Sequence, residues 1–236
     1  MGFFGLFRKS NRPDLPVPSF HILGDYNANF MQAIKFSRHY DLSMANFNWR
    51  WNKQPVDEGD LSKIIPALEA AGVPGFEYSA FQCMKWCHFM APIISQALGR
   101  NVSVTIGQIW KKDHPVFDPS WNDLTEWIKG GGIDLTEYAR LGKAGINIHA
   151  WLTIDSGQII EATFHHSLVM AYPDHYDELK GRLLCTYPAY ILRDHNYFPM
   201  AVGQSFVEAL AGGKGSPLLA NSAEDLYAPS LIIAAK

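Results

Sequence analysis

Three cysteines in 236 residues are too few for a disulfide framework, and odd in number, which points to a reducing compartment. An excess of one charge is also missing. Lys and Arg total 20 against 23 Asp and Glu, for a net charge of −3, and there is no basic stripe. That balance excludes the electrostatic footprint of a nucleic-acid binder. Long apolar runs are absent as well. The opening MGFFGLFRKS holds an apolar patch too short for a signal-peptide core and far too short for a membrane span. Gly2 hints at acylation, but Leu6 stands where that motif needs Ser or Thr. A cytoplasmic protein with no integral membrane segment is expected, with signal-independent export left open. No repeat, low-complexity tract or cofactor motif is present.

With 47% hydrophobic and 18% charged residues, the chain has the composition of a globular domain. Residues 1–18 end in a Pro-rich connector and are expected to form a flexible arm. Residues 19–236 are expected to form one domain with an insertion at 111–145. Helices are expected at Asp25–Tyr40 and Ser62–Ala71, and a strand at Val102–Trp110. Further strands are expected at Ser167–Ala171 and Leu183–Leu192, then a short helix at Gln204–Ala211 and a loosely ordered tail beyond Gly212, up to Leu231-Ile232-Ile233. Phe47, Trp49 and Trp51 alternate with polar residues and suit core and rim.

The chain centres on Tyr78–Gly99, YSAFQCMKWCHFMAPIISQALG, a helix apolar on nearly every side and therefore buried. Ser79 and Gln82 are spaced as a capping box, and Leu98-Gly99 is a stop signal. Pro92 is expected to kink it. Cys83 falls in the first turn, where free N–H groups and the helix dipole favour a thiolate. Cys87, one turn on, is assigned to packing.

A base for that thiol is offered by Asn147–Phe164. Asn147, His149, Trp151 and Thr153 share one face of an alternating strand. Asp155-Ser156-Gly157 suits a three-residue hairpin loop, with Gly157 at the left-handed position. That loop sets Ile154 opposite Gln158, Trp151 opposite Glu161, and His149 opposite Thr163. His149 and Glu161 then lie diagonally on one face. A loop one residue shorter would put them on opposite faces.

These residue types suit acyl transfer. Cys83 is the candidate nucleophile, His149 the base that later protonates the leaving group, and Glu161 the residue that holds the imidazole. The backbone N–H of Cys83, with a side chain such as Gln82 or Trp151, is expected to line an oxyanion hole. No metal is assigned. Cys83, Cys87 and His88 with His165 or His166 form the alternative of a structural metal site, although Cys-x-x-x-Cys is not a common zinc spacing. His165 or His166 is expected near the cleft. Gly130-Gly131-Gly132 between two capped helices suggests a hinge, which would make Lys111–Gly145 a lid.

The order of a Cys-headed helix, a strand, a His-bearing strand and an acid-bearing strand resembles the papain-like superfamily, its transglutaminase-like branch most nearly. The matching residues are Gln82-Cys83, Leu98-Gly99, His149-Ala150-Trp151 and Ile160-Glu161-Ala162-Thr163, spanning about a third of the chain. Glu161-Ala162 stands where Asp-Pro is usual, and the short hairpin is closer to NlpC-type cell-wall peptidases. The resemblance implies an α+β fold with a buried central helix on an antiparallel sheet and additional N-terminal helices. It implies cleavage or transfer of a peptide, isopeptide or peptidoglycan-like amide bond, with no cofactor. A catalytically silent module of the same fold is the alternative from a different class.

Overall fold

The computed structural model describes residues 15–40, 47–142 and 145–228. The arm up to residue 14 and Leu231-Ile232-Ile233 lie outside them. Helices and an antiparallel sheet make an α+β architecture. Helix α1, Tyr26–Tyr40, buries Tyr26, Phe30, Ala33 and Ile34, and Phe36, which falls off that stripe, is buried too. Phe36 serves a second contact, its ring 4.9 Å from that of Trp121 and 5.9 Å from that of Phe206. Helix α2, Glu58–Ala70, starts a turn earlier than Ser62 because Asp57 caps it, accepting from the Asp60 N–H.

The central helix is α3, Cys83–Leu98, ended by Gly99 in the left-handed conformation. It is buried on most sides, Lys85 and His88 included. Both polar side chains have partners. Lys85 Nζ donates to Asp225 O and Ala228 O, while His88 meets Ala220 O and Glu208. The expected capping box is not formed. Ser79 ends a 3-10 turn, Phe76–Ser79, and Gln82 is the N-cap residue without a side-chain cap, so Cys83 is the first helical residue.

Strand β1, Val102–Lys111, is the middle of the sheet, with β2, His114–Phe117, turning back on it. Helices α4, Trp121–Lys129, and α5, Leu135–Arg140, follow. Strands β3, His149–Ile154, and β4, Ile159–Glu161, form the hairpin in the register the sequence implies: Leu152 faces Ile160, Thr153 faces Ile159, and the Ile154 N–H donates to Gln158 O. Gly157 has a φ of +86°, as its turn requires.

Beyond the hairpin the sequence expectations fail in several places. Ser167–Ala171 is not a strand but belongs to helix α6, Phe164–Ala171. A short α7, Pro173–Tyr176, follows, and β5 is confined to Leu184–Thr186. The mostly apolar run His195–Val202 forms β6, paired with β1 along Thr105–Lys111. Helix α8, Gln204–Leu210, then leads into a segment that buries Leu218, Leu219, Ala220 and Leu226 rather than hanging loose. Among the described residues no helix is long and apolar enough to cross a membrane.

The sheet divides the interior. Ile148, Ala150, Leu152 and Ile154 face the cluster that contains Trp86, Met90 and Ile94 of α3. On the other face Trp151 packs with Tyr26, Phe30 and Trp49. Burying each such side chain stabilises the fold by roughly 1.5–3 kcal/mol. The position of the site follows from the strand pairing. β3 runs beside β1 as far as the His149–Gly107 pair, and β2 takes over from Ile109. Gly107 has no room for a side chain, since a Cβ there would meet Phe198 O at 2.0 Å and the Trp151 indole at 2.9 Å.

Candidate active site

Cys83, His149 and Glu161 come together where the first turn of α3 meets the start of β3. Cys83 is half-buried, its Sγ 4.0 Å from Ile148 O, and its thiol is near enough to the His149 ring to raise the pKa of that ring. The other side of that ring is fixed: His149 Nε2 donates to Glu161 Oε2 at 2.8 Å, leaving Nδ1 for the thiol. His149 is only 2% exposed and Glu161 fully buried. Phe117 and Trp151 stack against the imidazole, with ring centres 5.3 and 6.1 Å away, and Phe164 closes a third side at 5.6 Å.

A buried carboxylate is costly unless its oxygens are satisfied. Glu161 Oε1 accepts from the Thr163 N–H at 2.9 Å, the Phe164 N–H at 3.0 Å and Thr163 Oγ1 at 3.3 Å. Two of these donors are backbone groups at the start of α6, where the helix dipole also favours a negative charge. Oε2 accepts from His149 and from the Tyr197 hydroxyl at 3.1 Å. Burial by itself would raise the Glu161 carboxyl, but the His149 charge and these bonds hold it down to about 2. Burial by itself would lower His149, but the Glu161 charge, the neighbouring Cys83 thiol and the Glu161 hydrogen bond drive it up to about 10. The pair is an imidazolium and a carboxylate in a dry setting.

The two expected oxyanion partners fare differently. Trp151 is not available, because its indole N–H donates to the Tyr26 hydroxyl at 2.7 Å and its ring is fully buried against His149. Tyr26 in turn bonds Thr153 Oγ1 at 2.5 Å, and Thr153 bonds Thr105 Oγ1 at 2.6 Å. Trp151 therefore fixes the imidazole plane and donates nothing to a substrate. Gln82 sits beside Cys83 and gives one of its two amide hydrogens to Tyr78 O at 2.8 Å, while its Oε1 is buried with no partner. The Cys83 backbone N–H, first in its helix, has no intrahelical acceptor.

No family model, curated protein or solved structure matches this chain. The chemistry of the site has to come from its own atoms.

The remaining candidates hold the site rather than enter it. Ser79 Oγ donates to Ala162 O at 2.5 Å, and His166 Nδ1 donates to the same oxygen at 2.9 Å. The loop before Cys83 is thereby tied to the turn that carries Glu161. His166 Nε2 accepts from the Gly181 N–H, and His165 donates to Arg182 O. Both histidines are buried, so neither lines an open cleft. Burial pushes both down, His166 to about 4 with the charge of His165 adding to it. Cys87 is fully buried, its thiol on Ala150 O at 3.4 Å and pushed well up by burial. Among the described residues no group of three or more His, Cys, Asp or Glu is arranged to hold a metal.

Among the described residues of 111–145, Phe117 stacks on His149 and Asp118 bonds Asn147, near the start of β3. Of the three consecutive glycines in that segment, Gly132 is closely packed and Gly131 faces open space. A Cβ on Gly132 would meet Gly212 at 2.3 Å, and the Ile133 N–H bonds Leu210 O at 2.9 Å. Sequence reasoning missed Tyr197, Thr163 and Ser79 as site residues. The short apolar run in HNYFPMAV was the signal for the strand that carries Tyr197.

Proposed function

We propose that this chain is a cysteine-dependent hydrolase of the papain-like superfamily, acting on an amide bond of a peptide, isopeptide or peptidoglycan-like substrate. One observation carries this reading: a half-buried thiol at the first residue of a helix, beside an imidazole that a buried carboxylate holds. In the proposed cycle the Cys83 thiol proton rests on His149 Nδ1, the thiolate Sγ attacks the carbonyl carbon, and the displaced electron pair collects on oxygen, near the Cys83 N–H and Gln82. As the C–N bond breaks, His149 gives its Nδ1 proton to the departing amine. His149 then takes a proton from water, which attacks the thioester, and the C–S bond breaks to release the acid. Glu161 keeps the imidazolium oriented throughout. Water as acceptor makes hydrolysis the simplest outcome, and transfer to an amine uses the same intermediate.

The test needs no natural substrate. With 4-nitrophenyl acetate as acyl donor, mass spectrometry should find acetyl on Cys83 and not on Cys87 or Cys185. His149→Ala should slow that acetylation at least about tenfold, the lower range for removing a general base. Acetylation of Cys83 that does not depend on His149 would sink the proposal and favour a silent binding module.

A further inference from the structure

Phe81 makes no contribution to the core that would explain its conformation. It stands two positions before Cys83 with a φ of +60°, and its ring is 62% exposed. A left-handed backbone crowds the Cβ of any residue but glycine, and a bulky side chain there is an outlier. Here the conformation is held in place. The Phe81 N–H donates to Ser167 Oγ at 3.0 Å, and that hydroxyl donates to Thr163 O at 3.0 Å. The clip joins the approach to the nucleophile with the turn that binds Glu161. Every other phenylalanine whose side chain is described is buried or half-buried. Beside this segment Tyr78 and Tyr227, 50% and 56% exposed, lie with ring centres 5.5 Å apart. Lys85, two residues after Cys83, fastens the Tyr227 segment to α3 through Asp225 O and Ala228 O.

We propose that Phe81 is the wall of an apolar subsite for the side chain of the acyl-donating residue of the substrate, flanked by Tyr78 and Tyr227. This rests on Cys83 as the nucleophile. The acyl carbon bonds to Cys83 Sγ, so its own side chain lies close to Cys83. Two residues of chain, the separation of Phe81 from Cys83, span at most about 7 Å. Phe117, Trp151 and Phe164 pack round the His149 ring, and Phe81 is the exposed aromatic residue nearest in the chain to Cys83. An aromatic wall favours an aromatic or large aliphatic side chain, whose apolar surface it covers. A charged side chain there would be desolvated without a partner.

The probes are two chloromethyl ketones, acetyl-phenylalanyl and acetyl-alanyl, with iodoacetamide as a reagent lacking a side chain. Cys83 of the wild type should react at least about tenfold faster with the phenylalanyl reagent, a difference of roughly 1.4 kcal/mol. In Phe81→Gly the ratio should fall to near one while the Tm rises, because glycine adopts this φ without crowding. A wild-type ratio near one, or Phe81→Gly keeping the wild-type ratio, overturns the subsite. A drop in Tm in Phe81→Gly would make Phe81 a packing residue and overturn it too. Failure of iodoacetamide to label Cys83 in the wild type removes the nucleophile assignment itself, and the subsite with it.

Discussion

His149 and Tyr197 donate to the same oxygen of Glu161, at 2.8 and 3.1 Å. The tyrosine proton is held firmly, since burial and the Glu161 charge push the hydroxyl well above its ordinary range. Sharing Oε2 moderates the pull of the carboxylate on the imidazolium. Tyr197→Phe should therefore move the His149 titration midpoint upward, as followed by NMR of the ring protons. It should also cost about 1 kcal/mol of stability for one lost hydrogen bond. Loss of stability with an unmoved midpoint would make Tyr197 a packing residue only.

Glu161→Gln leaves a buried imidazole without its counter-charge and sets an amide among five donors. Breaking a buried pair in this way costs about 3–5 kcal/mol. Urea unfolding should show a loss of that size, and Cys83 acetylation should slow. A loss under about 1 kcal/mol would mean that the carboxylate carries little of the site.

The same pair fixes the pH dependence of stability. His149, raised from 6.5 to about 10, contributes stability that is full below pH 6.5 and lost as pH rises through 10. Glu161, lowered from 4.5 to about 2, contributes stability present above pH 4.5 and lost as pH falls through 2. His166, lowered from 6.5 to about 4, adds an earlier acid loss, because across that window the unfolded chain binds a proton that the folded histidine excludes. Urea midpoints should peak near pH 6.5 and fall on both sides. In Glu161→Gln the alkaline fall should vanish. A flat alkaline limb in the wild type would show that the pair is not charged as described.

Gly131 and Gly132 separate backbone strain from close approach. Gly131 has a φ of +86° with open space where a Cβ would go, whereas Gly132, at +122°, is pressed against Gly212. Gly131→Ala should cost about 1 kcal/mol through strain, and Gly132→Ala clearly more. Chemical denaturation of the two variants decides it. Equal losses would restore the picture of an unpacked hinge.

The buried helix headed by Cys83 and the hairpin register were legible in the chain because their signals are local. Apolar residues on nearly every side of Cys83–Leu98 mark a buried helix, and the turn at Gly157 with strict alternation before it sets which residues oppose one another. Those two elements were enough to name Cys83, His149 and Glu161. The Ser79–Gln82 spacing misled for the opposite reason. It is a local pattern, yet tertiary structure gave the Ser79 hydroxyl to Ala162. Trp151 was judged by its face alone, while its N–H went to Tyr26, 125 positions away in the chain. Tyr197, 36 positions beyond Glu161, reaches the carboxylate only because β6 pairs with β1. Periodicity and turn chemistry act over a few residues, so the sequence by itself determined which elements carry Cys83, His149 and Glu161. Where each buried donor finds its acceptor depends on which strands and loops the fold brings side by side, and only the tertiary structure decided that.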